Sequence, residues 1–309
     1  MATPAVLLSV ADLSAADIRG LVENAVRLKQ GAAEGHLDKK VLALLFEKPS
    51  LRTRVSFDVA MWQLGGHAIY LSPEEVGLGK RESVPDAART LSRYVDCIAA
   101  RTFSHDTVET LARHAQVPVI NALSDYEHPC QTLADLLTIF EKKGSLSGLN
   151  VAYVGDGNNV TRSLLLGAAL MGMRFTMASP PDYALRGPAI EQAERFASES
   201  GAVISFTPDP SLAVKDADVV YTDVWTSMGQ ENEAEARRLA FSAFQVDARL
   251  LALAKRDAVF MHPLPAHQGE EVAQGLLEHP QSVVFDQAEN RLHIQKAILV
   301  NMLRTRTAQ

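Results

Sequence analysis

The stretch FEKPSLRTRVSF, Phe46 to Phe57, constrains the chain more than any other. It grows out of Val41-Leu42-Ala43-Leu44-Leu45, an apolar run of strand length that Lys48-Pro49 brings to an end. Ser50 then stands where a helix N-cap stands, ahead of the apolar positions Val55, Val59, Ala60 and Trp62. A strand that turns into a helix in this way aims several backbone N–H groups at one spot. Ser50, Arg52, Thr53 and Arg54 add hydroxyl and guanidinium donors to the same turn. Cations are mildly unfavourable at a helix N-terminus, so two arginines there make best sense with a phosphate or another oxyanion bound. A capped helix with solvated arginines is the plainer alternative.

The rest of the chain repeats the same grammar. Short apolar runs at 67–71, 97–100 and 117–122 alternate with helical patterns at 9–30, 86–94 and 130–143. Ser14 or Asp12 would cap the first of these helices, with Ile18, Leu21, Val22, Ala25 and Leu28 as its buried stripe. Gly144-Ser145-Leu146-Ser147-Gly148 is the best domain break. Beyond it come runs at 150–154, 174–178, 203–207, 218–221 and 258–261, a helix over 160–171 and a last helix over 290–304. The expectation is an α/β chain of two domains, each a parallel sheet flanked by helices, joined by interdomain helices. The expected boundaries are 1–143, 144–289, and a C-terminal helix 290–309 that packs back on the first domain. Ligands in such sheets gather beyond strand C-termini, and Ser50, Arg101 and His128 each follow a predicted strand.

Composition removes several function classes. At 309 residues and 47% hydrophobic content the chain is long enough for two ordinary cores. A formal charge of −7 argues against a nucleic-acid surface and requires any anionic substrate to be held by local cations. Cys97 and Cys130 alone make neither a disulfide framework nor a cysteine zinc site. No apolar run approaches the roughly 20 residues of a membrane span. The N-terminal residues carry no signal or transit pattern, so a cytoplasmic location is expected. Gly155-Asp156-Gly157 opens like a dinucleotide fingerprint, but position 160 is Val where the third glycine would stand, which disfavours an NAD enzyme.

Five motifs together resemble the aspartate/ornithine carbamoyltransferase family. Ser50-Leu51-Arg52-Thr53 is similar to its carbamoyl-phosphate loop, with Leu51 where Thr is usual. His128-Pro129-Cys130-Gln131 resembles its His-Pro-x-Gln, and Asp223-Val224-Trp225-Thr226-Ser227-Met228-Gly229 the loop of its ornithine branch. Gly155 to Asn159 and Glu289-Asn290-Arg291-Leu292-His293 match further family segments. The resemblance implies carbamoyl transfer from carbamoyl phosphate to the δ-amine of ornithine, without metal or cofactor, by a homotrimer or a multiple of trimers. Ser50, Leu51, Arg52, Thr53, Arg101, His128, Gln131, Pro263, Leu264 and Arg291 would bind carbamoyl phosphate. Among them Thr53, Arg101, His128 and Gln131 would carry the catalysis as an oxyanion hole. Asn159, Asp223, Ser227 and Met228 would bind ornithine, Asp223 through its α-ammonium.

Two departures stand out against the family. Met261-His262-Pro263-Leu264-Pro265 has Pro263 where ornithine enzymes usually have a cysteine, as in the aspartate branch. Gly77 stands where the family often has a glutamine that reaches a neighbouring subunit's phosphate; Lys80 or Arg81 could replace that contact. Other acceptors (aspartate, putrescine or an acylated ornithine) therefore stay open, as does a phosphate-ligand binding protein without turnover.

Overall fold

The computed structural model describes residues 6–31, 36–79 and 81–304. The chain forms two compact units, one of residues 1–137 with 289–309 and one of residues 138–288. The division falls inside a helix, just ahead of the 144–148 segment.

In the first unit the elements run β1 (Val6–Leu7), α1 (Ala15–Lys29), β2 (Val41–Phe46), α2 (Leu51–Gln63), β3 (His67–Leu71), α3 (Pro73–Val76), α4 (Val84–Leu91), β4 (Cys97–Arg101), α5 (His105–His114), β5 (Val119–Leu123) and α6 (Pro129–Lys143). The five strands are all parallel, in the order β1-β5-β4-β2-β3. The central strand β4 is buried along its whole length, as expected when helices cover both faces. The edge strand β3 is not, and its residues alternate between exposed and half-buried. The chain lays β3 on one side of β2 and β4 on the other, so the order reverses between β2 and β4. Phe46 and Arg101 end these two strands in register. A crevice at such a reversal is where α/β sheets bind ligands.

The second unit runs β6 (Asn150–Val154), α7 (Asn159–Leu170), β7 (Arg174–Ala178), α8 (Pro188–Ser200), β8 (Val203–Thr207), α9 (Pro210–Val214), β9 (Val219–Thr222), α10 (Ala234–Ala240), α11 (Ala248–Leu251) and β10 (Val259–Met261). Its strands are also all parallel, in the order β10-β9-β6-β7-β8. The reversal lies between β6 and β9, where Val154 and Thr222 end in register. The last helix, α12 (Val284–Arg304), starts in this unit and runs back into the first.

Three element boundaries differ from the sequence reading for local reasons. The helix expected over 9–30 is a 3-10 turn, Val10–Asp12, followed by α1, because Ser9 and Ser14 each close a capping box. Its stripe Ile18, Leu21, Val22, Ala25 and Leu28 is buried as expected. The helix expected over 86–94 starts at Val84 behind a Ser83 cap. Helix α12 starts six residues ahead of Asn290 because Val284 enters the second unit's core and Gln287 is wholly buried there. Tertiary packing, which periodicity does not register, supplies that first turn.

Candidate active site

In the first unit the strand-to-helix turn after β2 forms as the sequence leads one to expect. Ser50 caps α2, its Oγ accepting the Thr53 N–H at 3.3 Å and lying 3.1 Å from Thr53 Oγ1. The Leu51 side chain faces solvent, so only its backbone is available to a ligand. Thr53 is buried, and the Arg291 Nη2 donates to its Oγ1 at 3.1 Å. The Nη1 of the same guanidinium donates to Gln131 Oε1 at 2.6 Å, and Gln131 Nε2 donates to Asp135 Oδ1 at 2.8 Å. Ser50, Thr53, Arg291, Gln131 and Asp135 therefore form one continuous hydrogen-bonded chain. One Gln131 Nε2–H is spent on Asp135; an amide has a second for a ligand.

Around this chain the first unit buries cations against one another. Arg101 closes β4 with 6% of its surface exposed, and its Nε has no hydrogen-bond partner among the described residues. Burial, then the Arg291 and Arg52 charges, push its guanidinium down to about 10. Lys48 is buried over the Phe103 ring, 4.8 Å from its centroid, and burial followed by Arg101 lowers its ammonium too. His128 is held well below the ordinary imidazole range by burial and by Arg291, Arg101, Lys48 and Arg52. The imidazole is thus neutral at pH 7 and able to donate a hydrogen bond without adding a charge. Cations crowded together out of water, so that burial and one another's charges push Arg101, Lys48 and His128 down, suit an anionic ligand.

Gly77 ends α3 in the left-handed region, at φ +56°, where a Cβ would sit 2.8 Å from the Arg81 Cβ. The turn there needs glycine, which has no side chain to offer a phosphate. Arg81 Nη1 donates to the Glu75 carbonyl at 3.3 Å. Lys80 lies outside the described residues.

In the second unit the two strand ends at the reversal carry a carboxylate and its clamp. Asp223 follows β9 and is 7% exposed. Its Oδ1 accepts the Val224 N–H at 2.8 Å and its Oδ2 accepts the Asn158 Nδ2–H at 2.8 Å. Burial pushes the Asp223 carboxyl up, against those hydrogen bonds. A buried carboxylate with spare lone pairs gains most from a cationic partner. Asn158 also caps α7, its Oδ1 accepting from Val160 and Thr161 at 3.0 Å each. Asn159, the residue the motif points to, is half-buried in the first helical position of α7. The turn before it is tight: a Cβ on Gly157 would meet Leu185 N at 2.4 Å.

Past Asp223, Ser227 donates its N–H to Gln230 Oε1 at 3.1 Å and the Met228 side chain is exposed. One buried arginine ties this loop to the turn after β6. Arg237 Nη1 lies 3.2 Å from Asp156 Oδ1 and donates to the Trp225 carbonyl at 3.0 Å. Its Nε donates to Glu233 Oε2 at 2.9 Å, and its guanidinium lies 5.0 Å from the Tyr183 ring centroid. Pro263 and Leu264 follow β10, with Leu264 at φ +56°.

Lys48, Asp135, Asn158, the Asp156–Arg237 pair and the His262–Glu271 pair were not singled out from the sequence. Asp135 stands four residues after Gln131 on one helix face, a spacing that pairs side chains and could have flagged it. Among the described residues, His267, Glu270 and Glu271 offer possible metal-ligand atoms within 4.8 Å of one another. Arg238 already holds Glu270 Oε1 at 2.9 Å, and its guanidinium opposes a cation there.

Relatives bear on both units. Residues 6–141 match the carbamoyl-P binding domain of aspartate/ornithine carbamoyltransferases, and residues 147–302 match their Asp/Orn binding domain. The chain belongs to the aspartate/ornithine carbamoyltransferase family. An ornithine carbamoyltransferase of Anoxybacillus flavithermus is 53% identical over 300 residues, 96% of either chain. An anabolic ornithine carbamoyltransferase of Pyrococcus furiosus is 53% identical over 95% of this chain and 94% of its own. The solved ornithine carbamoyltransferase structure from Pyrococcus furiosus superimposes with a TM-score of 0.94 at 51% identity, covering 98% of each chain. An N-acetyl-L-ornithine transcarbamylase structure is also similar, with a TM-score of 0.88 at 33% identity over 95% of this chain and 98% of its own.

Proposed function

We infer that the chain transfers the carbamoyl group of carbamoyl phosphate to the δ-amine of L-ornithine, giving L-citrulline and phosphate, within arginine metabolism. The observation that carries the choice of acceptor is Asp223. It is a buried carboxylate at the strand reversal of the second unit, held by Asn158 and Val224, in a chain half identical to ornithine carbamoyltransferases. A carboxylate there suits an ammonium and repels the second carboxylate of aspartate.

Ser50, the Leu51 backbone, Arg52, Thr53, Arg101, His128, Gln131 and Arg291 hold carbamoyl phosphate. Pro263 stands beside Leu264, whose carbonyl takes the carbamoyl NH2. Asp223 takes the α-ammonium of ornithine, with Asn159, Ser227 and Met228 completing that site. Attack by the free δ-amine forms the nitrogen–carbon bond, the carbon–oxygen bond to phosphate breaks, and the amine's surplus proton leaves with phosphate or solvent. Negative charge grows on the carbamoyl oxygen, where Thr53, Arg101 and neutral His128 stabilise it. No helix among the described residues is long and apolar enough to cross a membrane. Leu51, Val55 and Trp62 lie exposed along one face of α2, an apolar stripe that supports assembly into the family's trimer.

The direct test is product formation from carbamoyl phosphate with ornithine, aspartate, putrescine and N-acetylornithine in parallel. Ornithine alone is expected to turn over, and Asp223→Ala to lower kcat/KM for ornithine at least 100-fold. Turnover of aspartate would mean that Pro263, shared with the aspartate branch, decides the acceptor instead.

A pH profile gives a second test. The δ-amine has a lysine-like reference value of about 10.4 and must be neutral to attack. The rate is expected to climb from pH 6 to pH 9 towards an apparent pKa below that reference. His128, depressed below its ordinary value, stays neutral across that range and adds no limb of its own. A flat rate from pH 6 to 9 would count against amine deprotonation as the controlling ionisation.

A further inference from the structure

The segment after β10 carries a histidine that the chemistry above leaves unused. His262 is fully buried, and its ring nitrogens are both engaged. Its backbone N–H donates to Gln287 Oε1 at 2.9 Å, and Gln287 Nε2 donates to the Tyr221 hydroxyl at 3.2 Å. Its Nδ1 accepts the Leu264 N–H at 2.9 Å. Its Nε2 lies 3.1 Å from Glu271 Oε1, the same oxygen that accepts the His267 N–H at 2.6 Å.

A backbone amide can only donate, so Nδ1 must be the bare nitrogen and Nε2 must carry the ring proton, given to the Glu271 carboxylate. The ring is therefore neutral and locked in one tautomer. It pins the loop at both ends, at Leu264 directly and at His267 through Glu271. Leu264 needs such a hold, because a leucine at φ +56° sits in a region that costs about 1–2 kcal/mol. Pro263 and Pro265 have no N–H, so the amide that His262 grips is the one backbone donor in that tripeptide.

We propose that His262 is a positioning residue for Leu264: the Nε2–H imidazole, oriented by Glu271, grips the Leu264 N–H and thereby aims the Leu264 carbonyl. The proposal rests on the reading that gives this carbonyl to the carbamoyl NH2. It assigns His262 no proton transfer, since one ring nitrogen is protonated towards Glu271 and the other is occupied by an amide.

The test compares His262→Asn with His262→Gln. Asparagine sets an amide oxygen near the position of Nδ1, whereas glutamine reaches the position of Nε2 instead. His262→Asn is expected to keep kcat within about tenfold. His262→Gln should lose 100-fold or more in kcat with KM for ornithine nearly unchanged and a similar shift in Tm. Glutamine matching or exceeding asparagine overturns the proposal. A readout independent of turnover is NMR of the unsubstituted chain labelled with 15N-histidine and 15N-leucine. A coupling across the hydrogen bond between the Leu264 amide and a bare His262 Nδ1 is expected; a protonated Nδ1 overturns the proposal. Failure of the unsubstituted chain to carbamoylate ornithine would sink the proposed function while leaving the tautomer result standing.

Discussion

Arg101→Met is expected to lower kcat about 1,000-fold while leaving the folded chain as stable as before, or more so. A single neutral oxyanion donor is worth about 100- to 1,000-fold, and Arg101 serves both the carbamoyl oxygen and the phosphate in the proposed reaction. The same residue strains the ligand-free protein. Burial and the Arg291 and Arg52 charges pull its guanidinium down to about 10, so the charged form is worse off folded than unfolded at pH 7. Removing it relieves that repulsion, and Tm should hold or rise. Added phosphate or carbamoyl phosphate should raise the Tm of the unsubstituted chain and do so much less for the variant. Arg101→Lys is expected to recover little, because an ammonium cannot reproduce a planar two-pronged donor. A large fall in Tm with the loss of activity would show that Arg101 holds the sheet together instead of the substrate.

Arg237→Met is expected to destabilise the second unit by about 3–5 kcal/mol, the usual cost of leaving a buried partner charge uncompensated. Asp156 and Arg237 are each 6% exposed, and the variant would strip the Asp156 carboxylate and the Trp225 carbonyl of their donor together. The pH dependence has a definite sign. Even with Arg237 present, burial pushes Asp156 up to about 6, so its native-state preference for a proton stabilises at acid pH and is lost as pH rises through 6. Without Arg237 that value climbs further. The variant should therefore sit closest to the parent near pH 5 and fall away between pH 6 and 8. Asp156→Asn on the Arg237→Met background removes the stranded charge and is expected to recover part of the loss. KM for ornithine should rise in Arg237→Met, because Trp225 lies two residues past Asp223 on the loop that Arg237 anchors. Equal destabilisation at pH 5 and pH 8 would mean that packing against Tyr183, and not the ion pair, sets the cost.

Strand and helix placement was largely legible from residue order, because each apolar run is short and bounded by Pro, Gly or a capping Ser. Ser50 is the clearest case, since its side chain caps the helix that its position announces. The candidate site residues were legible where chemistry is tied to a local motif: Ser50 with Thr53, His128 with Gln131, and Asp223. Gly77 shows the limit. Its place in the chain suggested a missing phosphate contact, and its backbone adds what the sequence did not show, a left-handed helix end where a larger residue is strained and its Cβ meets Arg81.

What the residues determined by themselves is local: where strands turn into helices, which turns present donors, and which side chains an anion or an ammonium would want. Those are questions of spacing along one segment, and hydrogen bonding within a turn answers them. Tertiary structure alone decided which distant groups answer one another. Arg291 reaches Thr53 and Gln131 across more than 150 positions of chain, Arg237 reaches back to Asp156, and Glu271 Oε1 meets His262 Nε2 at 3.1 Å. The physical reason is burial. Once the parallel sheets exclude water, every polar group inside must find its partner wherever the fold has put one, and distance along the chain no longer matters.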